Sequence, residues 1–210
     1  MNFKITPLFA VPLYQTKLSS LSEQEKKFIR SLEYKRMPAN NGDYTENKFV
    51  LDSPELSLLK QRILEKAQHY LYEVLRIDES VEFKIENSWV NRHEKNDFAG
   101  THRHSNSLVS GVYYIDVDNR SGPIIFEKNK SSYNLFTDTV EVPFKTDQDS
   151  LNVFNAEAWG ITPENDELVL FPSLLYHSVG ESRSDNTRYS LAFNMFPRGG
   201  LGGELNSLRI

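Results

Sequence analysis

The chain has 210 residues, 39% hydrophobic and 25% charged, enough for one good-sized core. It holds no cysteine, which excludes disulfides, thiolate metal sites and cysteine nucleophiles and suits a reducing compartment. A formal charge of −5 leaves no basic field for a nucleic-acid backbone, so no nucleic-acid partner is expected.

In chain order, the opening MNFKITPLFAVPLYQ has one lysine and an apolar stretch broken by Pro7 and Pro12. It makes a poor secretion signal and is too short to span a bilayer, so a cytoplasmic protein with no membrane partner is expected. Residues 22–34 begin with Ser22 and Glu25 at capping-box spacing and predict a helix. Residues 36–50 are polar and turn-rich, so they read as loop. Ser53 then stands as a cap, Pro54 at the first helical position and Glu55 in the first turn. Leu56, Leu59, Ile63, Ala67, Leu71 and Val74 recur every three or four residues and predict a helix to about Arg76. From residue 81 the period becomes strand-like. Residues 81–92, 107–117, 122–128, 139–144, 167–172 and 188–197 read as strands, separated by turn formers such as Ser121-Gly122 and Ser184-Asp185-Asn186. Helices first and strands afterwards predict one mainly β domain, a sandwich or jelly roll with a helical buttress. Its parts are an N-terminal strand and buttress (1–80), a β core (81–197) and a loose tail (198–210).

Few residues can carry chemistry. Of five histidines, two stand in His102-Arg103-His104, just after a Gly100 turn. On an extended chain residues i and i+2 share a face, so both imidazoles can reach one point. Neutral imidazole is a ligand for iron, zinc, copper and nickel. His177 follows the apolar ELVLFPSLLY at the edge of a sheet. Arg188 opens the last strand, with Ser190 on the same face. An inward arginine is costly unless an anion meets it, and its planar fork suits a carboxylate. Singly, each has an ordinary reading: loop histidines, a core histidine, an outward arginine. His93, among the polar residues NRHEKND, reads as loop, and His69 as a solvated position on the long helix.

Together, the order His-x-His, β region, His, Arg-x-Ser resembles the 2-oxoglutarate- and Fe(II)-dependent oxygenases, and within them a bacterial and phage group related to the prolyl hydroxylases. The resemblance rests on Trp89-Val90-Asn91, HRHSNSLVSGVYYI (102–115), LFPSLLYH (170–177) and RYSLAFN (188–194). It implies a double-stranded β-helix core, cupin-like in form, with Fe(II), 2-oxoglutarate and O2 as cofactors. His102 and His177 match metal ligands, Arg188 and Ser190 match the grip on the distal 2-oxoglutarate carboxylate, and Tyr113 is a further cosubstrate contact. The implied reaction is hydroxylation of a peptide or protein side chain or a small molecule, with release of succinate and CO2. Trp89, Asn91, Asn106 and Trp159 are candidates to line the substrate pocket, though both tryptophans are equally readable as core. The loops 36–50 and 129–150 offer a lid or groove. A homodimer is allowed, and a phage-encoded copy would work in its host's cytoplasm.

One position departs from the pattern: the family's carboxylate ligand would stand at 104, where this chain has His104. Either His104 is the third ligand, or the ligands shift to His104 with Asn106 or a carboxylate such as Asp116, or two histidines bind alone as in the related halogenases. The i, i+2 geometry favours the first. Two rivals remain: a cupin-like three-histidine metalloenzyme without 2-oxoglutarate, and a non-catalytic β-sandwich binding or structural module.

Overall fold

The computed structural model describes residues 3–37, 42–128, 152–202 and 205–209. Along the chain run β1 (Tyr14–Lys17), α1 (Glu23–Ser31), β2 (Tyr34–Arg36), β3 (Asp43–Thr45), two 3-10 turns (Val50–Asp52 and Pro54–Leu56) and α2 (Ser57–Gln68). A π-helical turn (His69–Val74) leads to β4 (Glu82–His93), β5 (Ala99–His102), β6 (Val109–Asp116), β7 (Ile124–Glu127) and β8 (Ala158–Ile161). Then come β9 (Glu167–Pro172), β10 (Tyr176–Val179), β11 (Arg188–Arg198), β12 (Gly200–Leu201) and β13 (Leu208–Arg209).

Two antiparallel sheets form the core. The larger has the order β1-β9-β6-β11-β4-β3-β2 and the smaller β5-β10-β7-β8. Period-two alternation gives the large sheet two unlike faces. Tyr113, Ile115, Leu168, Leu170, Leu191, Phe193 and Met195 pack on Ile29, Leu59, Ile63, Ala67 and Tyr70 of the helical layer. Val112, Tyr114, Val169 and Phe171 turn the other way and meet Ile124 and Phe126 of the small sheet. This is the mainly β, helix-buttressed jelly roll that the pattern implied. No helix among the described residues is long and apolar enough to cross a membrane.

Several expectations need amendment. The capping box is present: Ser22 Oγ accepts from the Glu25 amide, and the Ser22 amide donates to Glu25 Oε2 at 2.7 Å. Ser53 makes no side-chain cap, because the chain enters as a 3-10 turn closed by backbone bonding of Leu56 to Ser53. The supposed loop 36–50 contains β3, which extends the large sheet beyond β4. It was hidden because β3 is only three residues long, too short a window for a period, and lies in a polar stretch. β1, β2, β5, β8 and β10, four residues or fewer, likewise give too short a window for a period. The tail is no loose end, since β12 and β13 pair in a small ribbon. The predicted strand 139–144 lies outside the described residues.

Gly111 shows how tightly the helix-facing side is filled. A Cβ there would fall 2.3 Å from Phe193 Cζ and 2.8 Å from Leu170 Cδ2, its two cross-strand neighbours. Gly111→Ala is therefore expected to destabilise by about 1–3 kcal/mol through overpacking, lowering the melting temperature by roughly 2–10 °C in thermal unfolding.

Candidate metal centre and its cavity

His102 ends β5, and its Cα partner across the β5–β10 ladder is His177. Two neighbouring strands of the small sheet thus set two imidazoles side by side, with ring centroids 4.3 Å apart. His104 follows two residues on, its backbone N–H bonded to Ser173 O at 3.0 Å. Its ring lies 5.3 Å from His102 and 5.1 Å from His177. One ring nitrogen from each histidine falls within 4.8 Å of the others, as a shared metal ion requires.

Hydrogen bonds decide which nitrogens are free. His102 Nδ1 lies 2.8 Å from Gly100 O, His177 Nδ1 2.9 Å from Leu175 O and His104 Nδ1 2.5 Å from Asn194 Oδ1. Carbonyl oxygens only accept, so each Nδ1 carries the hydrogen and each Nε2 keeps its lone pair for a metal. Burial, reinforced by the His102 and His104 imidazoles, pushes His177 down to about 3. Burial also lowers His104, opposed by its bond to Asn194. Neutral imidazoles are what a first-row divalent metal needs.

Asn194 holds the third histidine. Its Oδ1 also accepts from Ser110 Oγ at 2.7 Å, while its Nδ2 donates to Asn87 Oδ1 at 2.9 Å. Ser110 continues to Ser173 at 2.8 Å, and Ser173 to Ser107 at 2.6 Å. Those bonds orient the amide so that an oxygen faces His104. Among the described residues no carboxylate joins the three-histidine group. Asn106 sits at positive φ and exposed, and Asp116 pairs with Arg30 at 2.8 Å; neither lines the cavity.

The histidines open onto a cavity of about 590 Å³ between the sheets. Arg188 and Ser190 reach it from β11, Trp89, Asn91 and His93 from β4, and Val112 and Tyr114 from β6. Arg188 is 2% exposed. Its Nη1 donates to the carbonyls of Ser121 and Gly122 at 3.2 Å, its Nε has no partner, and no carboxylate pairs with it among the described residues. A buried, uncompensated guanidinium is an anion receptor in waiting, since desolvation without a counter-charge is costly. Tyr114 lies beneath it, with the guanidinium carbon 5.4 Å from the ring centroid and a hydroxyl that is buried and unpartnered. Burial pushes this phenol up to about 12, so it stays an O–H donor. Trp89 stands 5.7 Å from the His104 ring and donates its Nε1–H to Asn91 Oδ1 at 3.1 Å.

Four sequence-based placements fail. Tyr113 points to the helical layer, where its hydroxyl donates to Asp166 at 2.9 Å; Tyr114 takes the cavity position. The strand is apolar on both faces, which hides the parity that would separate the two tyrosines. Asn106 and Trp159 lie outside the cavity, Trp159 being 46% exposed on β8. His93 is no loop residue. It ends β4, is 6% exposed and lines the cavity. The i, i+2, i+4 spacing from Trp89 and Asn91 was the signal for it, and continuing the period of two from Arg188 and Ser190 past Ala192 reaches Asn194 at i+6. His69, as expected, is solvent-exposed.

Comparison with known proteins bears on the same residues. The model of the family described as "Putative 2OG-Fe(II) oxygenase" matches residues 87–194. No curated protein matches the sequence at a significant level. Among solved structures, HygX from Streptomyces hygroscopicus with nickel, 2-oxoglutarate and hygromycin B bound is 12% identical, with a TM-score of 0.58 over 88% of this chain and 82% of its own. The 2-oxoglutarate-dependent epimerase SnoN from nogalamycin biosynthesis is 15% identical, with a TM-score of 0.60 over 89% and 78%. A Pseudomonas putida prolyl-4-hydroxylase is 13% identical, with a TM-score of 0.54 over 91% and 96%. These likenesses establish the fold as the double-stranded β-helix of such enzymes.

Two outcomes test the centre. Asn194→Leu removes the acceptor for His104 Nδ1–H and is expected to weaken metal binding roughly ten- to a hundredfold, measured by chelator competition, with Asn194→Asp retaining affinity. The second concerns pH. Burial and the Arg188 cation push His93 down to about 4, so the folded state keeps His93 and His177 neutral, whereas the unfolded chain takes up protons below about pH 6.5. Stability is therefore full above that pH and declines as pH falls toward 4 and 3. Thermal scans of chelator-treated protein should show a falling melting temperature from pH 7 to pH 4, with a shallower slope in His93→Phe.

Proposed function

The chain belongs to the 2OG-Fe(II) oxygenase family, and from that premise we propose that it is a dioxygenase that hydroxylates a C–H bond of a peptide or protein side chain or a small molecule. Iron(II), 2-oxoglutarate and O2 are its cofactors. The donor set fits them: three neutral imidazoles for a borderline divalent metal, and beside them a buried cation with no anion of its own. That uncompensated Arg188 is the observation that carries the reading, because a three-histidine enzyme using no second carboxylate would leave it without a purpose.

The residues divide the work. His102, His104 and His177 would hold the metal through Nε2. Arg188, helped by Ser190 and the Tyr114 hydroxyl, would receive the far carboxylate of 2-oxoglutarate and so set the direction of its keto-acid end. When bound, metal, cosubstrate and dioxygen supply the oxidising power to break a substrate C–H bond, with 2-oxoglutarate leaving as succinate and CO2. Val112, Ile124 and Phe171 make the walls between the two anchor points apolar and exclude water. The neutral His104 leaves the centre one charge unit more positive than a carboxylate ligand would. Hydroxylation is the outcome proposed, and the family's kinship with prolyl hydroxylases supports a peptide or protein substrate. The cavity lining also takes in Met37, Tyr44, Lys48 and Arg103, polar and apolar groups that would suit a peptide chain.

Adding Fe(II) and 2-oxoglutarate without oxygen should give the weak visible charge-transfer band of the chelate. Arg188→Ala should need roughly ten to a hundred times more cosubstrate for the same band, and His104→Ala should lose it or shift it. No band in the unaltered protein at any workable concentration would sink the 2-oxoglutarate reading.

A further inference from the structure

Four buried side-chain polar atoms of the described residues have no hydrogen-bond partner: His93 Nδ1, Tyr114 Oη, Ser182 Oγ and Arg188 Nε. Three of the four belong to one wall of one cavity. Buried polar atoms are seldom left unpaired, so such a cluster marks something that binds there. Arg188 and Tyr114 have been given a role above; His93 has not.

His93 is the Cα partner of Arg188 in the β4–β11 ladder. Directly opposed residues on antiparallel strands carry their side chains on one face with Cβ atoms about 5 Å apart. The imidazole is fixed edge-on by Gly42, where a Cβ would fall 2.5 Å from both its Nε2 and its Cδ2. Only glycine lets the ring lie there, and Nδ1 is then on the edge away from Gly42. The arginine needs help as well. Its Nη1 is spent on the carbonyls of Ser121 and Gly122, so its fork cannot give all its donors to a ligand. A carboxylate has room for about four hydrogen bonds.

We infer that His93 is a second cosubstrate-binding residue, whose Nδ1–H donates to the carboxylate that Arg188 receives. The end of the cavity is then an arginine–histidine clamp with Tyr114 as its third donor. A neutral imidazole suits the place, because it adds a donor without bringing a second charge to be desolvated beside the guanidinium. The burial and the Arg188 charge that depress its proton affinity keep it in that form. The inference rests on the 2-oxoglutarate reading, and it specifies the ligand end involved: the distal carboxylate and not the keto acid.

The test measures affinities of the Fe(II)-loaded protein, without oxygen, for two ligands. One is 2-oxoglutarate; the other is 2-oxopentanoate, the same chain with a methyl group in place of the distal carboxylate. In His93→Phe the dissociation constant for 2-oxoglutarate should rise roughly ten- to a hundredfold, while that for 2-oxopentanoate stays put. His93→Asn, whose amide nitrogen can stand near the imidazole Nδ1, should bind 2-oxoglutarate within a few-fold of the unaltered protein. It also serves as the check should the phenylalanine variant fold poorly, since Asn keeping the affinity while His93→Ala loses it makes the same point. Unchanged 2-oxoglutarate binding in His93→Phe, or equal weakening of both ligands, overturns the clamp and leaves the Arg188 site standing. An unaltered protein that binds no 2-oxoglutarate overturns both.

Discussion

His102 and His177 face each other as partners in a ladder only a few residues long, and the metal centre depends on that register. Side chains alternate with a period of two, so a slip of one residue would turn one imidazole to the opposite face. One further strand and one backbone bond hold it. β10 pairs along its other edge with β7 from Val179 to Tyr176, and the backbone N–H of His104 is tied to Ser173 O ahead of β10. The small sheet is thus fixed from both sides, and the cavity is the space that the large sheet leaves above it.

The large sheet turns the same regularity to another use. β11 gives Leu191, Phe193 and Met195 to the helical layer and Arg188, Ser190 and Asn194 to the cavity. One strand therefore delivers the anion receptor at its start and the support of the third histidine six residues on. The hydrophobic face supplies the rigidity, and the polar face spends it on positions that would be costly in a looser scaffold. The buried chain from His104 through Asn194, Ser110 and Ser173 to Ser107 is satisfied at every link seen. Such networks specify one arrangement when complete and destabilise when broken.

Much of this was legible in the sequence, for reasons that differ residue by residue. Ser22 with Glu25, and the stripe from Leu56 to Leu71, declare themselves through local chemistry and period. His102, His104, His177 and Arg188 were legible because two spacings, i to i+2 and the run from histidine to arginine, survive without knowledge of the fold. Tyr113 was misplaced for the opposite reason: in SGVYYID both faces are buried, so nothing in the local pattern says which tyrosine looks inward. His93 was missed because its sequence neighbours are polar, while its burial comes from β3, β11 and Gly42, all distant along the chain. Trp159 shows that a large aromatic residue near a site is weak evidence that it faces it.

That no carboxylate of the described residues joins the ligand group has a consequence for which ion the protein would carry. A carboxylate oxygen is a hard donor, whereas three imidazoles form a borderline set whose affinities follow the general rise from manganese through iron and nickel to copper. Nothing in the first coordination sphere would then discriminate in favour of iron over its later neighbours in the row. Selection would pass from thermodynamics at the protein to the relative abundance of free ions around it. A preparation made in air would accordingly report the metal supply of its host more than the metal its chemistry requires.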